Sequence, residues 1–136
     1  MSKYMIGAIL LGHGFIVGAQ SLGGFGGGSS QPVNPNWLSW WPTTLGRSWF
    51  LSLLNLEGSL IDKVFGLFWL APGVCLVAAA LGVFGYFIPD TAWRTLAIYG
   101  ASGSLIMLLL YLHPLFIIGI LVDIAILIAL PKLLLF

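Results

Sequence analysis

The chain has 136 residues and a net charge of +1, and 60% of its residues are hydrophobic while 7% are charged. Typical globular chains are about 45–50% apolar and about 25% charged, so this composition excludes an ordinary soluble domain and indicates that lipid surrounds most of the chain. The small net charge offers no basic surface to a nucleic acid, and no such partner is predicted. Cys75 is the single cysteine, which excludes an internal disulfide and a cysteine-rich metal site; no metal site is predicted.

The first predicted span covers residues 4–22, where His13, Gln20 and Ser21 interrupt an apolar run. A transmembrane helix needs about 20 mostly apolar residues, and this segment meets that length. A lysine followed by an apolar stretch is also typical of a secretory signal peptide, with a conceivable cleavage site after Ala19. We interpret the segment as a retained first span.

Four glycines recur along this first span: Gly7, Gly12, Gly14 and Gly18. Gly14 and Gly18 are spaced four apart, as are Ala8 and Gly12, and small residues at this spacing allow helix backbones to approach closely in a membrane. We therefore predict that these glycines are helix-packing positions, either against another helix of the chain or against another subunit.

Residues 23–62 form an irregular connection that begins with a glycine-rich run. The connection contains four tryptophans, Trp37, Trp40, Trp41 and Trp49. Tryptophan is enriched at membrane–water interfaces, so we predict that these side chains are interfacial anchors. Residues 47–60 are predicted as a helix because their polar side chains recur every three or four positions. Such a helix either lies in the interface or extends the second span, and the pattern does not separate these two alternatives.

Three further spans are predicted at residues 64–87, 93–112 and 115–130. The last two are interpreted as separate helices that meet at His113 and Pro114, because one helix over both would be about 57 Å long, roughly twice the hydrocarbon thickness. The sequence therefore predicts an all-α fold, an integral membrane four-helix bundle that forms a single domain.

An even number of spans places both termini on one side of the membrane. That side would carry Lys3, Arg94 and Lys132, whereas the opposite side would carry Arg47 and Lys63. Because cytoplasmic segments carry an excess of lysine and arginine, we predict that the termini are cytoplasmic.

Two ionisable residues fall in the middle of predicted spans, His13 in the first and Asp123 in the fourth. Counted from the same membrane face, they lie at depths of roughly 14 Å and 12 Å. Ionisable groups are costly at such depth and tend to pair with one another. We therefore predict a buried His13–Asp123 pair, which would be either a polar clamp between helices or a proton relay or ligand contact.

Three short motifs resemble those of small bacterial four-span membrane proteins that are broadly DoxX-like. They are Leu-Gly-His-Gly-Phe at residues 11–15, Gly-Leu-Phe-Trp-Leu at residues 66–70 and Gly-Ile-Leu-Val-Asp-Ile at residues 119–124. The resemblance implies a four-span architecture, and it implies no settled activity. We predict a bacterial inner membrane as the location of the chain.

Two classes of function fit these features. The first is an accessory or packing subunit of a larger membrane complex, without catalysis of its own, whose partners are membrane lipids and other membrane subunits; the glycine rows and the scarcity of charge favour this class. The alternative is a small membrane enzyme, carrier or binding protein that uses the pair of His13 and Asp123. No cofactor motif is present in the sequence, and the alternative would involve contact with a lipid, a quinone or a pigment.

Overall fold

The computed structural model describes residues 2–22, 34–41, 48–56 and 58–134. Within these ranges the regular structure is entirely helical, which confirms the all-α prediction. The α-helices are α1 (Lys3–Ala19), α2 (Trp49–Leu53), α3 (Ser59–Val83), α4 (Trp93–Leu110) and α5 (Ile117–Leu134). Two short 3₁₀ helices, Asn36–Leu38 and Pro114–Phe116, lie between them.

Three segments of the described chain are long and apolar enough to cross a membrane. They are Leu60–Val83, Trp93–Leu110 and Pro114–Lys132, with mean hydropathies of 2.2, 1.3 and 2.5. The helix Lys3–Ala19 is also apolar but is shorter, with 17 residues. The prediction of a helical membrane protein is confirmed by these segments.

The long helices pack in chain order, α1 against α3, α3 against α4, and α4 against α5. Glycines of α4 lie against α3: a Cβ on Gly100 would lie 2.7 Å from Cγ of Leu76, and a Cβ on Gly103 would lie 3.2 Å from Cβ of Pro72. Such residues let two helices approach closely. The backbones of α1 and α5, in contrast, do not pack closely against each other.

Glycines set the contact between α1 and α3. A Cβ atom added to Gly73 would lie 2.7 Å from the Cα and N atoms of Gly18, so the two backbones touch at this point. Gly7 and Gly14 also lie against atoms of the segment that contains α3 and its C-terminal turn. Gly12 differs from the other three, because no atom lies within 4 Å of the position that its Cβ would take.

The helix α3 begins and ends earlier than the predicted residues 64–87. Its C-terminus is a Schellman motif, in which Gly85 has a left-handed φ of 86° and the amide of Tyr86 donates to the carbonyl of Leu81 at 2.8 Å. Glycine has no Cβ to oppose this conformation, so the helix ends here and not after the aromatic residues that follow.

The predicted helix at residues 47–60 is not continuous in the structure. Only α2 is helical before Asn55, which has a left-handed φ of 52°, and Gly58 has a φ of 137° just before α3. Left-handed backbone interrupts an α-helix. The polar residues that recur here, Ser48, Ser52, Asn55 and Ser59, are therefore distributed over two helices and the turn between them. The end of the predicted helix, from Ser59 onward, belongs to α3. Arg47, its predicted start, lies outside the described residues.

The chain breaks at His113 and Pro114 as the sequence predicts, and α4 ends at Leu110 instead of residue 112. The last helix runs to Leu134, beyond the predicted end at residue 130, with Pro131 inside it. Proline removes one helical hydrogen bond, but its fixed φ is compatible with helical backbone.

We expect Gly73→Ala to lower the free energy of unfolding by about 1–3 kcal/mol, the usual cost of overpacking. The added Cβ would meet backbone atoms of Gly18, which cannot move aside as the end of a flexible side chain can. Gly12→Ala is the matched control, because its Cβ would have open space. Unfolding of the purified variants in SDS measures both effects, and equal stability of the two variants would contradict the close contact of α1 with α3.

Candidate functional site

A buried polar network connects three of the long helices. Nε2 of His13 on α1 lies 2.8 Å from Oδ1 of Asp123 on α5, and the hydroxyl of Ser104 on α4 donates to Oδ2 at 2.6 Å. Asp123 and Ser104 are 0% exposed, and His13 is 8% exposed. The structure therefore brings together the two residues that the depth comparison paired, and it adds Ser104, which the sequence analysis did not single out.

The order of contacts in this network excludes activated-nucleophile chemistry of the serine-protease type. In that arrangement a histidine lies between the serine and the carboxylate and takes the proton of the hydroxyl. Here Asp123 lies between Ser104 and His13, so the hydroxyl of Ser104 contacts a carboxyl group and no histidine is placed to take its proton. Among the described residues no group of three or more His, Cys, Asp or Glu side chains could hold a metal ion.

A groove of about 450 Å³ lies between α1 and α5, where these two helices do not pack closely. Trp69 of α3 and Leu108 of α4 lie on its floor, and His13 lies on its α1 wall. Most of the lining is apolar, and Gln20 is the second polar side chain in it. Ligand pockets usually have volumes of about 300–1,000 Å³ and a mostly apolar lining with a few polar groups, which is the character of this groove.

Two glycines shape the groove beside His13. Gly12 has no atom within 4 Å of its would-be Cβ and lies on the α1 wall, so it faces the groove instead of packing against a helix. Gly119 lies on the α5 wall, where a Cβ would come within 3.4 Å of Cε1 of His13 and 3.2 Å of Cδ1 of Leu108. Since Gly119 has no side chain, the imidazole can reach Asp123 one helical turn further along α5.

One ring nitrogen of His13 is available to a ligand. Nε2 is bonded to Asp123, and within the described part of the chain no hydrogen bond reaches Nδ1. Nδ1 is also not fully enclosed by other atoms of the protein. Because the ring lines the groove and Nδ1 is not enclosed, we infer that Nδ1 is the polar atom that the network presents to that space.

A second histidine closes the turn between α4 and α5. The backbone amide of Leu115 donates to Nδ1 of His113 at 3.2 Å, so this nitrogen carries no hydrogen and the ring is neutral. Nε2 then carries the hydrogen and donates to Oδ1 of Asn34 at 3.0 Å. Burial lowers the pKa of His113 below its ordinary value, in agreement with a neutral ring. The connection before α2 is thereby attached to the end of α4.

The tryptophans predicted as interfacial anchors gather near this same turn. Trp37 and Trp40 are exposed, and the half-buried Trp41 makes an edge contact with the ring of His113 at 6.4 Å. Trp49 is exposed, and its indole N–H donates to the carbonyl of Leu109 at 2.7 Å, which satisfies an acceptor at the C-terminus of α4. An anchoring role in the interface stays a prediction.

No family model, curated protein or solved structure matches this chain. The groove and the network on its wall therefore carry the functional interpretation, because they combine an apolar space with an unpartnered polar atom.

We expect His13→Leu to lower the free energy of unfolding by about 3–5 kcal/mol, because it removes one member of a buried pair and leaves Asp123 without it. The double variant with Asp123→Leu should lose less, since no buried carboxylate remains. SDS unfolding of His13→Leu, Asp123→Leu and the double variant measures the difference. A loss in the double variant that equals the sum of the two single losses would contradict a direct interaction between the two side chains.

The neutral state of His113 makes stability depend on pH. Its pKa is lower in the folded chain than in the unfolded chain, so its contribution is complete above the unfolded value near 6.5 and is lost as the pH falls from there toward the folded pKa. We expect the melting temperature of the wild type to fall more between neutral pH and pH ~5 than that of His113→Asn, which cannot titrate in this range but can still accept from the amide of Leu115. The same pH dependence in both proteins would contradict this account of His113.

Proposed function

We propose that this chain binds a lipophilic molecule, a lipid, a quinone or a pigment, in the groove between α1 and α5, where His13 contacts the polar group of the ligand. The observation that carries the proposal is that Nδ1 of His13 has no hydrogen-bond partner among the described residues although the side chain is only 8% exposed. The ring lines an apolar space of about 450 Å³. A purely structural clamp between helices needs no such space beside it.

The rim of the groove supports access from the bilayer. Ile9 and Ile16 on the α1 side and Leu115 and Ile118 on the other side line the groove and are themselves exposed. Exposed apolar side chains on a membrane helix are solvated by lipid tails. A lipophile can therefore enter from the hydrocarbon region without crossing a polar surface.

The expectation of an accessory subunit drew much of its support from the glycines of the first span. Gly7, Gly14 and Gly18 lie against atoms of the same chain, so they are not available to a second subunit. The remaining member, Gly12, lies on the wall of the groove. The low number of charged residues fits both classes of function equally. We therefore favour binding of a lipophilic molecule over the role of an accessory subunit.

The proposal includes α1 as a fourth span, as the DoxX-like resemblance implies. It also places both termini on the cytoplasmic side of a bacterial inner membrane, as the distribution of lysine and arginine favours. The 17 residues of α1 measure about 26 Å, near the lower limit for a span. Nζ of Lys3 lies 3.5 Å from Oδ1 of Asp90, so the start of α1 meets the turn that follows α3. This contact supports antiparallel α1 and α3, as in an up-and-down bundle.

We expect Gly12→Leu to remove the bound lipophile, because its side chain would occupy the groove without meeting another atom of the fold near its Cβ. Ala19→Leu is the matched control, since Ala19 is exposed on the same helix and does not line the groove. Native mass spectrometry of the proteins, purified in mild detergent, measures what stays bound.

The wild type and Ala19→Leu should carry the same small molecule, and Gly12→Leu should carry at least about ten-fold less, which corresponds to about 1.4 kcal/mol of binding free energy. A clean protein without any bound lipophile, or equal loading of Gly12→Leu, would overturn the proposal. Co-purification of a stable protein partner in place of a small molecule would favour the accessory subunit.

A further inference from the structure

We infer that the groove selects a lipophile whose polar group is a hydrogen-bond acceptor, a carbonyl oxygen in particular, and that His13 is the donor. This inference rests on the proposed binding function and deepens it, because it assigns the chemical class of the ligand. Its starting point is the number of protons that the buried network must hold.

The network has to be electrically neutral. Asp123 is 0% exposed, and within the described residues the only group of opposite sign that pairs with it is His13. An uncompensated charge in this apolar surrounding is costly, and buried ionisable groups in a membrane pair or become neutral. An ionised Asp123 beside a neutral His13 would leave a net negative charge, so the pair holds one further proton.

Because the hydroxyl of Ser104 donates to Oδ2 of Asp123, that oxygen carries no hydrogen. Two arrangements of a neutral pair then remain, and both place a hydrogen on Nδ1 of His13. In the first, the carboxylate is ionised and the imidazolium carries hydrogens on both nitrogens. In the second, the carboxyl group of Asp123 is protonated and donates to Nε2, so the hydrogen of the neutral ring is on Nδ1. Ser104 donates to the other carboxyl oxygen in either case. The atom presented to the groove is therefore a donor.

The rest of the lining offers one other polar side chain. Gln20 lies seven residues after His13, about 10 Å further along α1, and its amide nitrogen donates one hydrogen to the carbonyl of Ile16 in its own helix. An acceptor oxygen on the ligand would complete the hydrogen bonding of His13, and its hydrocarbon part would fill the apolar remainder. Carbonyl groups of this kind occur in acyl esters of lipids and in ketones, including quinones.

Four probes with one chain length separate these possibilities: methyl palmitate, a methyl ketone, a fatty alcohol and the unbranched alkane. Binding of isotope-labelled probes is measured by equilibrium dialysis against the wild-type protein in detergent, and Gly12→Leu supplies the background of probe dissolved in the micelle. The double variant with His13→Leu and Asp123→Leu keeps the groove and removes the donor. Its folding is checked by SDS unfolding.

We expect the ester or the ketone to bind the wild type about ten-fold tighter than the alkane, the effect of one hydrogen bond to a charged or polarised donor. In the double variant this preference should disappear. Tighter binding of the ester would identify an acyl lipid as the source of the carbonyl, and tighter binding of the ketone would identify a ketone-type ligand; either result supports the inference.

Equal binding of all four probes, or the tightest binding by the alcohol, would overturn the inference of a carbonyl ligand and leave the proposed function intact. Binding of every probe at the level of Gly12→Leu would instead show that the proposed function itself is wrong. If the double variant does not fold, the ranking of probes on the wild type still decides, because it needs no substitution at His13.

Discussion

The carboxyl group of Asp123 has to be satisfied inside an apolar bundle, and this requirement determines much of the arrangement around it. Water is not available at full burial, so its two oxygens need hydrogen-bond partners from neighbouring helices. His13 is the partner from α1, and Ser104 is the partner from α4. Because α1 and α5 otherwise lack close backbone packing, this hydrogen bond fixes their depth and rotation relative to each other.

The same constraint explains why a groove and a polar network occur together. Glycines bring α1 close to α3 at Gly18 and Gly73, whereas α1 and α5 do not pack closely against each other. The long side chain of His13 then spans the remaining space to reach Asp123. The space beside it stays open because Gly12 carries no side chain, and it is bounded by exposed apolar residues that face lipid.

The sequence predicted those features that depend on one helix at a time or on depth. Apolar runs and the His113–Pro114 break located the long helices, and the distance of His13 and Asp123 from one membrane face paired them. Ser104 was missed because a serine inside a span commonly satisfies its hydroxyl within its own helix, although the same depth comparison applied to α4 would have included it. The groove depends on how α1 is rotated, which glycine spacing alone does not determine. The break in the predicted helix at residues 47–60 depends on the left-handed backbone of Asn55, which the polar periodicity does not reveal.

The most direct test of the central claim is a nitrogen–carbon dipolar measurement by solid-state NMR, on protein in a lipid bilayer with ¹⁵N-labelled histidine and ¹³C-labelled aspartate side chains. The chain has two histidines and three aspartates, so few signals overlap. The account predicts strong dephasing of one carboxyl carbon, that of Asp123, because its Oδ1 lies 2.8 Å from Nε2 of His13. This dephasing should persist in His113→Asn and vanish in His13→Leu. A wild-type spectrum without a dephased carboxyl carbon, or dephasing that survives His13→Leu, would contradict the account.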